Sequence, residues 1–315
     1  MAATAPPDYL DPQTLMSISS LDLRAQMIAE GLMTGRHRSP YQGVSVEFAQ
    51  HRQYAPGDDT RFLDWKVFGK TDKLYLKQYQ KETNLEMLVM VDISGSMSFC
   101  GGTAWRKYDH AASLAAAMTH LALRQQDRVA LSLFDDQPRR ATRMSNRQGH
   151  WRSIVEALSS VQIQPLPQEG PNADVAGHTH LAQVFDRAVV KLARRSLVVL
   201  ISDLFDDPDT IDRGLARFYH HRHDVIVMQV LDPMELGFPF RQPSEFVGLE
   251  ADGQLRLDPL ALRQGYLHAF ETHQRRIEQA CRKFTFDYLM LDTSRSLAPP
   301  LSSFLARRAA RVARK

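Results

Sequence analysis

The feature that most constrains this 315-residue sequence is an apolar stretch that stops on a carboxylate. Residues 85–91 are almost all apolar, and Asp92 follows at once. A run this short and this apolar suits a strand buried on both faces of a parallel sheet. Similar stretches at 128–134, 196–201, 224–231 and 285–291 are predicted as further strands. Helical periodicity falls between them, over 108–124, 151–159, 179–192, 209–221 and 259–283. Strands alternating with helices predict an α/β fold of Rossmann type, with a mostly parallel sheet and helices on both faces. This unit is expected to occupy residues 85–293.

The flanks read differently. Leu21, Leu23, Met27, Ile28 and Leu32 recur at helical spacing, which predicts one helix over 15–33 within a helical segment 1–34. Residues 35–84 read as a β-rich extension. Val44, Val46 and Phe48 alternate with polar residues, Pro56-Gly57-Asp58-Asp59 forms a turn, and 74–79 alternates again. Asp252-Gly253, between 246–249 and 254–257, predicts a hairpin with a tight two-residue turn. Residues 294–315 are expected to form a final helix with a basic end: Arg307, Arg308, Arg311, Arg314 and Lys315.

Composition excludes several classes of function. With 43% hydrophobic and 24% charged residues, the chain is too apolar and too evenly charged to be disordered. A net charge of +3 does not mark a nucleic-acid binder. No stretch approaches the roughly 18 apolar residues of a membrane span. The first residues carry prolines and acids where a signal peptide needs a basic stretch and an apolar run. Two cysteines, Cys100 and Cys281, make no disulfide framework, and a cytoplasmic setting is expected.

Three short segments concentrate oxygen ligands where chemistry is expected. Asp92-Ile93-Ser94-Gly95-Ser96 follows the first buried strand. Thr179 opens a helix within Gly177-His178-Thr179-His180-Leu181, and Asp203 follows the strand 196–201. Ligands of open parallel sheets bind at the carboxyl ends of the strands, near the point where strand order reverses. Two carboxylates and three hydroxyls are hard oxygen donors of the kind Mg²⁺ prefers. This set resembles the metal-ion-dependent adhesion site of von Willebrand factor A-type domains. Asp92, Ser94 and Ser96 match its Asp-x-Ser-x-Ser motif, Thr179 its separate threonine and Asp203 its later aspartate. The resemblance implies Mg²⁺ (or Mn²⁺) bound by these five residues, with a position left open for an acidic side chain of a partner.

A second resemblance lies upstream. Tyr54-Ala-Pro-Gly-Asp-Asp-Thr-Arg61-Phe-Leu-Asp64-Trp65, preceded by Gly43 and Glu47-Phe48, is similar to the signature of a large bacterial family, domain-of-unknown-function family fifty-eight. Its members carry an adhesion-site domain after that signature and are typically encoded beside MoxR-type AAA+ ATPases. That implies a non-enzymatic, metal-dependent protein-interaction module working with such an ATPase, or with a client protein, in chaperone-like assembly. One departure stands out. The family usually reads Gly-Gly-Thr-Asp-Leu around the threonine, whereas His178 and His180 flank Thr179 here and would form a partner-binding rim.

The same Asp cluster suits a metal-dependent phosphoesterase, although only His178 and His180 are at hand as bases. The basic tail suits a scaffold with peripheral membrane contact. Asp58, Asp59, Arg61, Asp64 and Trp65 could be taken for an active site, but with no nucleophile–base pair beside them they read as a buried scaffold, with Trp65 as its anchor and Arg61 bridging the acids. His220, His221 and His223 lack zinc spacing to a fourth ligand. Gly69-Lys70-Thr71 lacks the earlier glycine of a phosphate-binding loop, and no Gly-x-Ser-x-Gly elbow is present. Cys100 lies near the metal loop, but Mg²⁺ avoids sulfur.

Overall fold

The computed structural model describes residues 12–34, 48–54, 63–79, 85–101, 105–147, 149–163, 181–249, 253–297 and 300–302. Its centre is a six-stranded sheet built from β3 (Glu86–Asp92), β4 (Arg128–Phe134), β5 (Pro138–Ala141), β6 (Leu197–Ser202), β7 (Asp224–Leu231) and β10 (Asp287–Asp292). The strand order is β10-β7-β6-β3-β4-β5. Five strands run parallel, and β5 closes one edge antiparallel to β4. This is the mostly parallel α/β architecture expected from the resemblance to von Willebrand factor A-type domains.

The period of two along each strand divides the core between the two faces. Met87, Val89 and Val91 of β3, with Leu131 and Leu133 of β4, face α4 (Lys107–Arg124) and α5 (His150–Ser159). Leu88 and Met90, with Ala130 and Phe134, face α6 (Leu181–Lys191), α7 (Pro208–His220) and α9 (Pro259–Lys283). α4 is buried on nearly every side, and its alanines 111, 112, 115, 116 and 117 allow close approach from both directions. The sheet lies on one side of it. On the other lies α2 (Leu21–Thr34), which contributes Leu21, Ala25, Ile28 and Leu32 to the same core. Gly214 of α7 meets α6 so closely that a Cβ there would collide with the Phe185 ring.

Several local expectations are corrected. The single helix over 15–33 is two, α1 (Pro12–Met16) and α2, separated at residues 17–20, where the Ser20 hydroxyl accepts the Leu23 N–H. Serine hydroxyls compete with helical hydrogen bonds and favour such breaks. In the extension, β1 (Phe48–Gln53) pairs antiparallel with β2 (Tyr75–Tyr79). Between them runs a short helix, α3 (Trp65–Thr71), where a β-rich texture was expected. Trp65 is no buried anchor: it is 65% exposed and touches Phe68 edge-on. Leu63 and Asp64 are the buried residues there, and the Asp64 carboxylate accepts the Val67 N–H at the helix start. The hairpin is present as β8 (Ser244–Val247) and β9 (Gln254–Leu257), with Val247 opposite Gln254. The Gly248 N–H donates to the Gly253 carbonyl, and Asp252 of the expected tight turn lies outside the described residues.

His223 accepts the backbone N–H of Ser196 and is part of the fold. Among the described residues no helix is long and apolar enough to cross a membrane. Val44, Val46, Asp58, Asp59, Arg61 and the basic tail from residue 303 lie outside the described residues.

Candidate metal centre

The sheet's connections fix where a ligand would sit. From β3 the chain moves outward to β4 and β5, then returns to the other side of β3 to lay down β6. Strand order therefore reverses between β3 and β6, and the crevice at their carboxyl ends is the expected binding position. Asp92 is the last residue of β3, and Asp203 directly follows β6. Both carboxylates are almost wholly buried.

The loop after β3 turns back on Asp92. The Ser94 N–H donates to Asp92 Oδ1 at 2.8 Å, and the hydroxyls of Ser94 and Ser96 stand 3.1 Å apart. A short 3₁₀ turn, Gly95–Ser98, follows. From β6, the Ser202 hydroxyl donates to Asp92 Oδ2 at 2.5 Å and accepts the Leu204 N–H. Three of the expected ligands, Asp92, Ser94 and Ser96, are thus gathered on one loop, with Asp203 on the adjacent strand end. Thr179, His178 and His180 lie outside the described residues.

Burial is the main influence on Asp92. It raises the carboxyl to about 7, the Asp203 charge pushes in the same direction, and hydrogen bonds from Ser202 and Ser94 oppose them. The carboxylate is poorly compensated by its protein neighbours, which is the condition a cation relieves.

Sequence reasoning missed the residue that dominates the other half of the site. Lys107, in the first turn of α4, is fully buried. Its ammonium donates to Asp203 Oδ2 at 2.7 Å and to Glu235 Oε1 at 2.5 Å. Burial alone would lower its pKa, but Asp203 and Glu235 outweigh that and raise it, so Lys107 stays charged. The Phe205 ring faces the ammonium at 4.8 Å and the Phe99 ring at 5.9 Å. Glu235 belongs to α8 (Pro233–Gly237), whose capping box joins its other carboxylate oxygen to the Asp232 N–H.

The surrounding backbone is held as firmly. Gln229 donates to the Asp203 carbonyl and is itself held by the Tyr288 hydroxyl. Helix α9 is tied to both loops: Tyr266 donates to the Glu235 carbonyl, and the His273 ring bonds the Leu204 carbonyl. Leu204 sits at φ +56°, a left-handed conformation that non-glycine residues adopt only under constraint, and such strain concentrates at functional sites.

The carboxyls of Asp92, Asp203 and Glu235 gather around the single ammonium of Lys107, so acids outnumber cations in the cluster. A divalent cation would offset that excess. Among the described residues no three His, Cys, Asp or Glu side chains gather into a ready cage. Asp92 and the Ser94 and Ser96 hydroxyls nevertheless fit a hard divalent ion, since hydroxyl, carboxylate and water oxygens are its ordinary donors.

Comparison with known proteins places the chain. It is 28% identical over 318 aligned residues to the Uncharacterized protein Rv1480 of Mycobacterium tuberculosis (strain ATCC 25618 / H37Rv), covering 98% of this chain and 95% of that protein. The same figures hold for the Uncharacterized protein Mb1516 of Mycobacterium bovis. Similar solved structures include the conserved hypothetical protein BatB from Bacteroides thetaiotaomicron, at 14% identity and a TM-score of 0.44, covering 72% of this chain and 99% of that one. The SpRpn10 VWA domain aligns at 12% identity and a TM-score of 0.39, over 72% of this chain and 95% of that one. Residues 50–276 match the family described as Protein of unknown function DUF58, and over that span, which is most of its length, the chain belongs to this family.

Proposed function

We propose that the carboxyl edge of the sheet is a metal-dependent protein-interaction site and that the protein is not an enzyme. Asp92, Ser94 and Ser96 would ligate Mg²⁺ (or Mn²⁺) directly. Asp203 would contribute directly or through water, as would Thr179. An Asp or Glu of the partner would complete the shell, with His178 and His180 at the rim. The observation that carries this reading is Asp92 itself. It is a buried carboxyl at the strand-order reversal, raised to about 7 and ringed by hydroxyls, in a cluster where acids outnumber the one cation.

The resemblance to the family points to a MoxR-type AAA+ ATPase, or a client delivered to it, as the partner, in cytoplasmic chaperone-like assembly. One shared carboxylate supplies a strong, directional bond but little contact area, so the loops around it would supply most of the specificity.

The test is thermal unfolding with increasing Mg²⁺. A ion that binds only the folded state raises the midpoint with concentration. The wild type should shift upward, and Asp92→Ala should not respond. An equal shift in both proteins, or none in the wild type, sinks the reading.

A further inference from the structure

We propose a second binding site, between α6 and the β4–β5 edge, that takes an amphipathic monoanion: an apolar body of about eight heavy atoms carrying a carboxylate. A cavity of about 240 Å³ lies there. At about 30 Å³ per water-sized group, that volume admits about eight such groups.

The floor lies unusually deep. Leu88 of β3 and Ala130 of β4 are register partners in the interior of the sheet, yet each keeps 6% exposure, while the adjacent Val89 and Met90 have none. Small side chains leave the gap. Ala130 on the sheet and Ala188 on α6 both line it with a single methyl group where a leucine would fill the space.

Charge at the mouth indicates the ligand's head. Arg143, Arg187 and Lys191 line the cavity, and no Asp or Glu does so among the described residues. None of the three makes an ion pair with a described residue, although the nearby Arg139 and Arg217 both do. Arg187 and Lys191 are four residues apart on one helix, a spacing at which like charges repel. An anion held between them relieves that repulsion and gains charge-assisted hydrogen bonds. The apolar floor rejects a bare inorganic anion, and the cationic mouth disfavours an uncharged tail. None of the lining residues belongs to the metal-centre set, so this site stands or fails independently of it.

Octanoate, titrated calorimetrically into the full chain, is the probe, with octan-1-ol and acetate as controls. Octanoate should bind saturably at one site, octanol about tenfold or more weakly, as expected for loss of a charge-assisted bond, and acetate not at all. Ala130→Leu should fill the floor and abolish octanoate binding without lowering the thermal midpoint. Combined Arg187→Gln and Lys191→Gln should weaken octanoate about tenfold and leave octanol unchanged. If Ala130→Leu does not fold, the charge variant carries the test alone. No octanoate binding, equal binding of octanoate and octanol, or octanoate binding that survives these substitutions would overturn the proposal.

Discussion

Replacing Lys107 with Met removes one positive charge from a site where the buried Asp203 and the half-buried Glu235 share it. Met keeps the length and most of the apolar stem, so lost packing accounts for little. The electrostatic loss is larger. The buried Asp203 and the half-buried Glu235 would be left without their shared ammonium, now at 2.7 and 2.5 Å. Removing one partner of a buried ion pair typically costs about 3–5 kcal/mol, because the remaining charge is stranded. Against a total stability of roughly 5–15 kcal/mol, that is a large fraction. The cluster also loses its one cation, so a divalent cation should recover part of the loss. Urea unfolding of wild type and Lys107→Met, with and without millimolar Mg²⁺, reads both effects. The variant should lose about 3 kcal/mol or more in chelator, and Mg²⁺ should stabilise it more than the wild type. A loss under about 1 kcal/mol, the size of an ordinary point substitution, with no response to Mg²⁺, would refute the reasoning.

Two further outcomes follow from packing and burial. Gly214→Ala in α7 should be destabilising by about 1–3 kcal/mol in chemical unfolding, although helix propensity alone favours Ala by about 1 kcal/mol; its Cβ collides with the Phe185 ring. A stabilised variant would mean that α6 and α7 can separate freely. His110 is fully buried against Trp105, and burial lowers its pKa from 6.5 to about 4. Between those values the unfolded chain binds the extra proton, so stability should fall as pH drops below 6.5, by about 2 kcal/mol at pH 5. His110→Leu should lose that portion of the pH dependence, and an unchanged profile would place its origin elsewhere.

The parallel sheet was legible in the sequence because its inner strands β3, β4, β6 and β7 are buried on both faces and therefore read as short apolar runs. The loop after β3 was legible because Asp92, Ser94 and Ser96 are local to one another. Lys107 was not. It opens an alanine-rich helix, where a lysine looks like a polar end residue, and its partners Asp203 and Glu235 lie 96 and 128 residues further along the chain. Only the pairing of β6 with β3, and of β7 with β6, brings them together. β5 escaped for another reason: Pro138-Arg139-Arg140-Ala141 has no apolar alternation, since this edge strand is largely exposed. Trp65 misled in the opposite direction. A tryptophan suggests a buried anchor, whereas here the neighbouring Asp64 is buried instead.

The composition of β5 bears on how copies of this protein can meet. An exposed sheet edge offers unpaired backbone groups to any passing strand, which is a route to aggregation. Here the edge is short. Its first residue, Pro138, has no N–H to offer, and the next two are arginines held at the surface, Arg139 by Asp135 and Asp136 and Arg140 by the Ser160 hydroxyl. A second sheet could align along β5 only by displacing those bonds and crowding arginine against its own strand. Growth by edge-to-edge stacking is thereby discouraged on this side.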